Sequence, residues 1–316
     1  MTNSTMKRLS LNPSQAAVPA ITQGLQQLFE IMKHNEKGII ERIDPEFLHD
    51  FRIAIRRTRT VLSQFNAVFP EKINAFEDRF SWLGELTGPA RDNDVLILEI
   101  EKLRKLRLKK LHDALPALNR FLQHKQDDLY KPLVDALQSK EYRNFKTNWR
   151  RFLKKCIDQP TQNDSKASTI SHVAPKKIWK RYTRILRQGT KINPGSPASD
   201  YHQLRKSCKK LRYLMEYFQS LYNNKDIRPL IKELKKLQEN LGEHQDLEVH
   251  IANLTTYAKE TKIHSNVSAD LLNAIERICH RFEERKHQLR HEFRTRFDEF
   301  STKANKKRFK MLFHHE

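Results

Sequence analysis

The chain has 316 residues, enough for two ordinary domains or one duplicated one. Lys and Arg number 60 against 38 Asp and Glu, a formal +22; a charge of that size repels itself in a compact chain and argues for a polyanionic partner, whether nucleic acid, an anionic membrane surface or a phosphate polymer. Three scattered cysteines with no C-x-x-C (Cys156, Cys208 and Cys279) argue against a disulfide framework or zinc knuckle, and no stretch approaches the ~18 apolar residues of a membrane span.

Only 7 residues are Gly, so tight turns are few and long helices the economical solution. Residues 1–17 are expected to be disordered; with Lys7 and Arg8 but no apolar run behind them they do not form a signal peptide, and a cytoplasmic protein is expected. A helix follows over 18–43. Asp44-Pro45-Glu46 then supplies an N-cap, a proline at the first helical position and an acid in the first turn, and this second helix runs to about 69. A third covers 71–87 and is ended by Gly88-Pro89. Helical stretches over 92–110, 113–138 and 140–157 complete a first repeat, 18–158. Residues 159–175, polar and bracketed by prolines, read as a linker. The second repeat, 176–301, has helices near 176–188, 199–222, 227–241, 246–262 and 269–300, and a frayed basic tail is expected over 302–316. No alternating β pattern of useful length appears, so the fold class is all-α.

One phrase is stated twice. His49 is followed by Arg52, Arg56, Arg57 and Arg59, and His202, 153 residues later, by Arg205, Lys209, Lys210 and Arg212 at the same intervals. Further on, Gly88, Asp92 and Val95 match Gly242, Asp246 and Val249 at an offset of 154. One residue of slip over some forty positions means internal duplication.

At 100° per residue, His49, Arg52, Arg56 and Arg59 fall within about 80° of one another and line about 15 Å of a helix edge, while Arg57 points elsewhere. Phe47, Phe51, Ala54, Thr58, Leu62 and Phe65 take the opposite, core-facing side. His202, Arg205, Lys209 and Arg212 repeat the stripe, widened by Lys206 and Lys210. Like charges so spaced are mildly destabilising in an isolated helix, which makes sense where acids of a neighbouring helix or an external anion neutralise them. Arg offers a bidentate grip on phosphate oxygens and Lys a mobile point charge; nearby anions would favour a protonated histidine. Lys177, Lys180, Arg184, Arg187 and Lys191 form a further stripe on a helix expected to pack antiparallel to the second histidine helix. The Gly-Asp elements read as helix starts, with Asp92 and Asp246 as N-caps. Neither histidine has a second metal ligand at i+3 or i+4, although Asp50 is adjacent to His49, so no metal is expected.

These motifs resemble the CHAD family, the conserved histidine α-helical domain. They run from His49, Arg52, Arg56-Arg57-x-Arg59 and Gly88-x-x-Arg91-Asp92-x-Asp94-Val95 to His202-x-x-Arg205-Lys206-x-x-Lys209-Lys210-Leu211-Arg212-Tyr213 and Leu237-Gln238-x-x-Leu241-Gly242-x-x-x-Asp246. The resemblance covers about residues 18–300. It implies two tandem, pseudo-symmetric helical-bundle repeats around a basic central groove or pore, and inorganic polyphosphate as ligand, with an association with polyphosphate granules and their proteins. The implied binding set is His49, Arg52, Arg56, Arg57, Arg59, Arg91, His202, Arg205, Lys206, Lys209, Lys210 and Arg212, flanked by Lys177, Lys180 and Arg184. The triphosphate-tunnel catalytic domain that often precedes this domain has no room in the 17 residues before the first helix. The expectation is a non-catalytic protein without catalytic residues or cofactor. The alternatives are a nucleic-acid binder, although helix-turn-helix, zinc and RNA-platform motifs are lacking, and a phosphoanhydride enzyme, although there is no P-loop. Nucleic acid is expected only as a non-specific competitor, and no membrane is expected as a partner.

Overall fold

The computed structural model describes residues 9–69, 73–105, 115–158, 169–263 and 269–314. Helices make up nearly all of it: α1 (Ala17–Ile40), α2 (Pro45–Phe65), α3 (Asn74–Leu86), α4 (Gly88–Lys105), α5 (Leu115–Gln138) and α6 (Lys140–Asp158), then α7 (Ile170–Gly189), α8 (Ala198–Tyr217), α9 (Asn224–Ile263), α10 (Ala269–Phe300) and α11 (Lys303–Phe313). Among the described residues no helix is long and apolar enough to cross a membrane. The expected helix ends at 71–72, 106–110 and 113–114, the linker segment 159–168 and the start of the N-terminus, 1–8, lie outside the described residues.

The duplication is visible in where helices begin. α1 and α7 start 153 residues apart, as do α2 and α8. So do the short 3-10 turns Asn66–Val68 and Gln219–Leu221 that close α2 and α8. The start of α2 follows the local code: Asp44 accepts a hydrogen bond from the Glu46 amide at 2.7 Å, and Pro45 sits at the first helical position, where its missing N–H costs nothing.

Three expected boundaries are corrected. The Gly-Asp elements do not start helices at Asp92 and Asp246. α4 begins already at Gly88, and Thr87 alone interrupts the run from α3; Pro89 lacks the N–H that would continue the α3 ladder. The second copy has Glu243 where the first has Pro89, and α9 runs unbroken through Gly242. The tail is not frayed: α11 packs through Phe309 and Phe313, both buried, and the Phe309 ring stacks on Tyr182 with centroids 3.7 Å apart. Each such ring contributes about 1.5–3 kcal/mol by burial, enough to hold an 11-residue helix. Nor are residues 9–16 and 170–175 loose. Ile170 and Ser171 donate their amides to Gln15 and Pro13 carbonyls, so the N-terminal segment caps α7, while Leu9, Leu11, Ile170, Ala174 and Pro175 are buried.

The interior divides into two clusters, and neither belongs to one repeat. The larger joins α1, α2, α3 and α6 to α7, α8, α11, the first part of α9 and the end of α10. The smaller joins α4 and the start of α5 to the second part of α9 and most of α10. At the centre of the larger, Phe65 and Phe218, the same position of each repeat, meet edge to face at 5.5 Å. Contact between equivalent residues is what a twofold-like pairing produces. It places α2 directly against α8 and so brings the two histidine helices together.

Candidate functional site

α2 and α8 bury their apolar faces, with Leu48, Phe51, Ala54, Ile55 and Leu62 on one and Leu204, Cys208, Leu211 and Leu214 on the other. Their basic edges therefore emerge side by side. They open on one cleft of about 850 Å³, lined by His49, Arg52, Arg56, Arg59 and Arg91 from the first repeat and His202, Arg205, Lys206, Lys209 and Lys210 from the second. Thr60, Ser63, Ser81 and Gln245 add neutral polar groups, and Glu77, Asp78, Asp92 and Asp246 add acids.

These cations fall into two kinds. Arg52 donates to the Gly84 carbonyl (2.9 Å) and Thr87 Oγ1 (2.6 Å), and Arg59 donates to Ser81 Oγ (3.0 Å). Arg91 donates to the Pro45 carbonyl (3.3 Å) and lies 3.5 Å from Glu46, while Arg205 lies 3.3 Å from Asp246. By contrast, among the described residues Arg56, Lys206, Lys209 and Lys210 form no ion pair. The Nε atoms of Arg52, Arg56 and Arg205 are buried without a hydrogen-bond partner.

The crowding shows in the proton equilibria. Burial, followed by Arg205 and Arg56, pushes the Lys209 ammonium down to about 6, against the pull of Asp246. Burial and then Arg56 lower Arg52 to about 10. His49 falls to about 4 through burial and the charges of Arg91, Arg56, Arg52 and Lys209, which together favour its neutral ring. Burial raises Asp92 despite Arg52 opposite it, with Asp246 adding to the rise.

A family model of the CHAD domain matches residues 23–255. The chain belongs to the CHAD family. Its fold is similar to the crystal structure of the CHAD domain from the plant Ricinus communis, with a TM-score of 0.72 and 24% identity over 98% of this chain and 96% of that one. It is also similar to PptA from Streptomyces chartreusis, with a TM-score of 0.60 and 13% identity over 90% of this chain and 98% of that one. No curated protein matches it.

Five expected site residues of this CHAD domain lie outside the cleft. Arg57 and Arg212 both turn to Glu216, at 2.9 and 3.6 Å, and their guanidinium groups lie over the Tyr213 ring at 5.7 and 5.6 Å. Helical phase had already turned Arg57 away; for Arg212 the partner, not the phase, decides. Lys177 lies 6.0 Å from the centre of the Phe65 ring. Lys180 and Arg184 line a separate depression on α7 with Arg181, Thr183 and Arg187. That face adjoins the cleft electrostatically, since Arg181 and Arg184 are the leading charges that help burial depress Lys210.

The sequence reading missed the acids and hydroxyls of the lining. Asp92, Val95, Asp246 and Val249 were visible as repeated positions, and the two aspartates were read as caps; all four line the cleft. Their neighbours have other duties. Asn93 and Asp94 are buried, where Asn93 donates to the Leu122 carbonyl (3.0 Å) and Asp94 accepts from Gln126 and from Tyr130 Oη (3.1 Å), clamping α4 on α5. Arg181, also missed, donates to Gln64 at 2.7 Å. Among the described residues one group of metal-ligating type adjoins the cleft: Glu46, His49 and Asp50 each offer a ligand atom within 4.8 Å of the others. The search of the sequence at i+3 and i+4 passed over Glu46 because it stands at i−3.

Proposed function

We propose that this CHAD domain is a non-catalytic binder of inorganic polyphosphate. What supports the reading most is the convergence of equivalent cations of both repeats on one cleft, where Arg56, Lys206, Lys209 and Lys210 form no ion pair among the described residues. A linear polyanion with an oxygen-rich surface satisfies them in the way a single phosphate does not: guanidinium and ammonium groups donate along its length, and displaced counterions supply entropy. Asp246 holds Arg205 at 3.3 Å, leaving the unpaired cations as the donors for the polymer. Family resemblance points to the same ligand, and association with polyphosphate granules in the cytoplasm follows from it. Among the described residues Tyr213 is the tyrosine of the cleft lining, and Arg57 and Arg212 lie over its ring where a base would stack.

Competition tests the reading. Labelled long-chain polyphosphate bound to the protein is challenged with unlabelled polyphosphate or short duplex DNA at equal phosphate concentration and fixed salt. Unlabelled polyphosphate should displace the label and the duplex should not; equal displacement would make the protein a general polyanion binder. In parallel, polyphosphate incubated with Mg²⁺ and the protein should keep its chain length. Shortening that depends on His49 would overturn the non-catalytic assignment.

A further inference from the structure

The offset of 153 relates the two arms of the cleft residue by residue. Glu216 matches Ser63, Arg57 matches Lys210, Arg212 matches Arg59, and Tyr213 matches Thr60. Ser63, Lys210, Arg59 and Thr60 all line the cleft; of the other four, only Tyr213 is among the lining residues. Glu216 is the difference. Its carboxylate lies 2.9 Å from Arg57 and 3.6 Å from Arg212. Both guanidinium groups lie over the Tyr213 ring, so they sit against a residue of the lining without facing the cleft themselves. The three charged groups are half-buried, and their pairing is less screened by water and salt than a surface pair.

Ser63 brings no such charge to the matching arm. Its hydroxyl donates to the Thr60 carbonyl at 3.1 Å. Glu77 is near enough for Arg59 and Lys210 to act on its carboxyl, yet neither cation forms an ion pair among the described residues. Burial lowers the Lys210 ammonium, and Arg181, Arg184, Arg59 and Lys206 add to the fall. One arm is therefore crowded with cations, whereas in the other a single acid occupies two of them.

We propose that Glu216 is a positioning residue that closes one of two equivalent arms of the polyanion site. It holds Arg57 and Arg212 off the cleft, so the polymer is gripped in the other arm, by Arg59 and Lys210. This role rests on the polyphosphate reading and gives the site a direction: duplication builds two arms, and one acid leaves one of them open. The closed arm has the means to open, since Lys210 and Arg59 reach the cleft from the positions that match Arg57 and Arg212. A guanidinium released there would offer the polymer further bidentate contacts.

Exchange of the matched residues tests this in the full chain, by anisotropy of labelled long-chain polyphosphate across a salt series. Glu216→Ser should release both arginines. Affinity should rise about tenfold or more, and the slope of log affinity against log salt should steepen by roughly one to two. Ser63→Glu should do the reverse by capturing Lys210 or Arg59, with binding about tenfold weaker and a slope shallower by about one. Glu30→Gln removes the same charge from an exposed site on α1 and should change affinity less than about twofold. An equal gain in Glu30→Gln, or affinity no higher than wild type in a folded Glu216→Ser, overturns the proposal. If Glu216→Ser misfolds by circular dichroism, undiminished binding by Ser63→Glu overturns it instead. Failure of wild type to bind polyphosphate is a different result: it would remove the reading itself, and this role with it.

Discussion

On α2, His49 stands among Arg52, Arg56 and Arg91 and is pushed to about 4; on α8 its counterpart His202 faces Gln245, the residue matching Arg91, and the two hydrogen-bond. The pair Arg56 and Lys209 diverges in the same way. They are equivalent positions and neither forms an ion pair among the described residues, but one is a guanidinium and the other an ammonium that burial, Arg205 and Arg56 push down to about 6. Arg59 reaches the cleft, whereas its counterpart Arg212 is drawn off by Glu216, which also takes Arg57. Duplication thus supplies paired geometry, and single substitutions then give matched positions of the two walls different chemistry: a guanidinium at Arg56, a depressed ammonium at Lys209.

Removing the matched pair should have the largest effect. Each charge-assisted hydrogen bond to an anion is worth about 1.5–3 kcal/mol. Arg56→Ala with Lys209→Ala should therefore weaken polyphosphate binding by on the order of 100-fold or more, measured by anisotropy at fixed salt. Neither side chain forms an ion pair among the described residues, so helicity should be retained. A double variant that binds as wild type would show that the shared cleft is not the site.

The difference between the two walls predicts a pH dependence. A bound polyanion raises Lys209 above its free value of about 6, against the push of Arg205, Arg56 and Arg212 and with the help of Asp246. Below pH 6 Lys209 carries its charge in both states and contributes no slope. Above it, binding must take up a proton, so affinity falls by up to tenfold per pH unit until the bound-state value is reached. His49 adds a similar step that begins at about 4. Calorimetry in buffers of different ionisation enthalpy should show proton uptake at pH 7.5, and Lys209→Arg should abolish most of it. Equal uptake in that variant would place the titrating group elsewhere.

How much of this was legible depends on how local each cause is. The start of α2 could be read because Asp44, Pro45 and Glu46 act within one turn. The basic stripes could be read from helical phase. The fate of Arg57 could not be completed from phase alone, because its partner Glu216 is 159 residues away. The repeated Asp92 and Asp246 were seen but misassigned: an aspartate after a glycine looks like a cap, and only the facing of α4 and α9 turns it into cleft lining. The tail was misjudged because its basic composition hid two rings, Phe309 and Phe313, whose sockets are built by distant helices.

Two helical glycines test the same distinction between local and tertiary causes. Gly24 lies on α1 under Tyr217 of α8, whose hydroxyl donates to the Ile21 carbonyl; a Cβ there would lie 2.2 Å from the tyrosine ring and oxygen. Gly24→Ala should therefore destabilise the fold by about 1–3 kcal/mol in chemical denaturation, as overpacking does. Gly242 looked like the turn residue of the second Gly-Asp element, yet α9 passes through it and an added Cβ would meet nothing within 4 Å. Its only effect is then the backbone entropy that a glycine costs inside a helix. Gly242→Ala should stabilise the protein by about 0.5–1 kcal/mol and leave polyphosphate affinity unchanged. A loss of stability in that variant would mean that the helix does break at Gly242, and with it that the second repeat keeps the interruption that Pro89 imposes on the first.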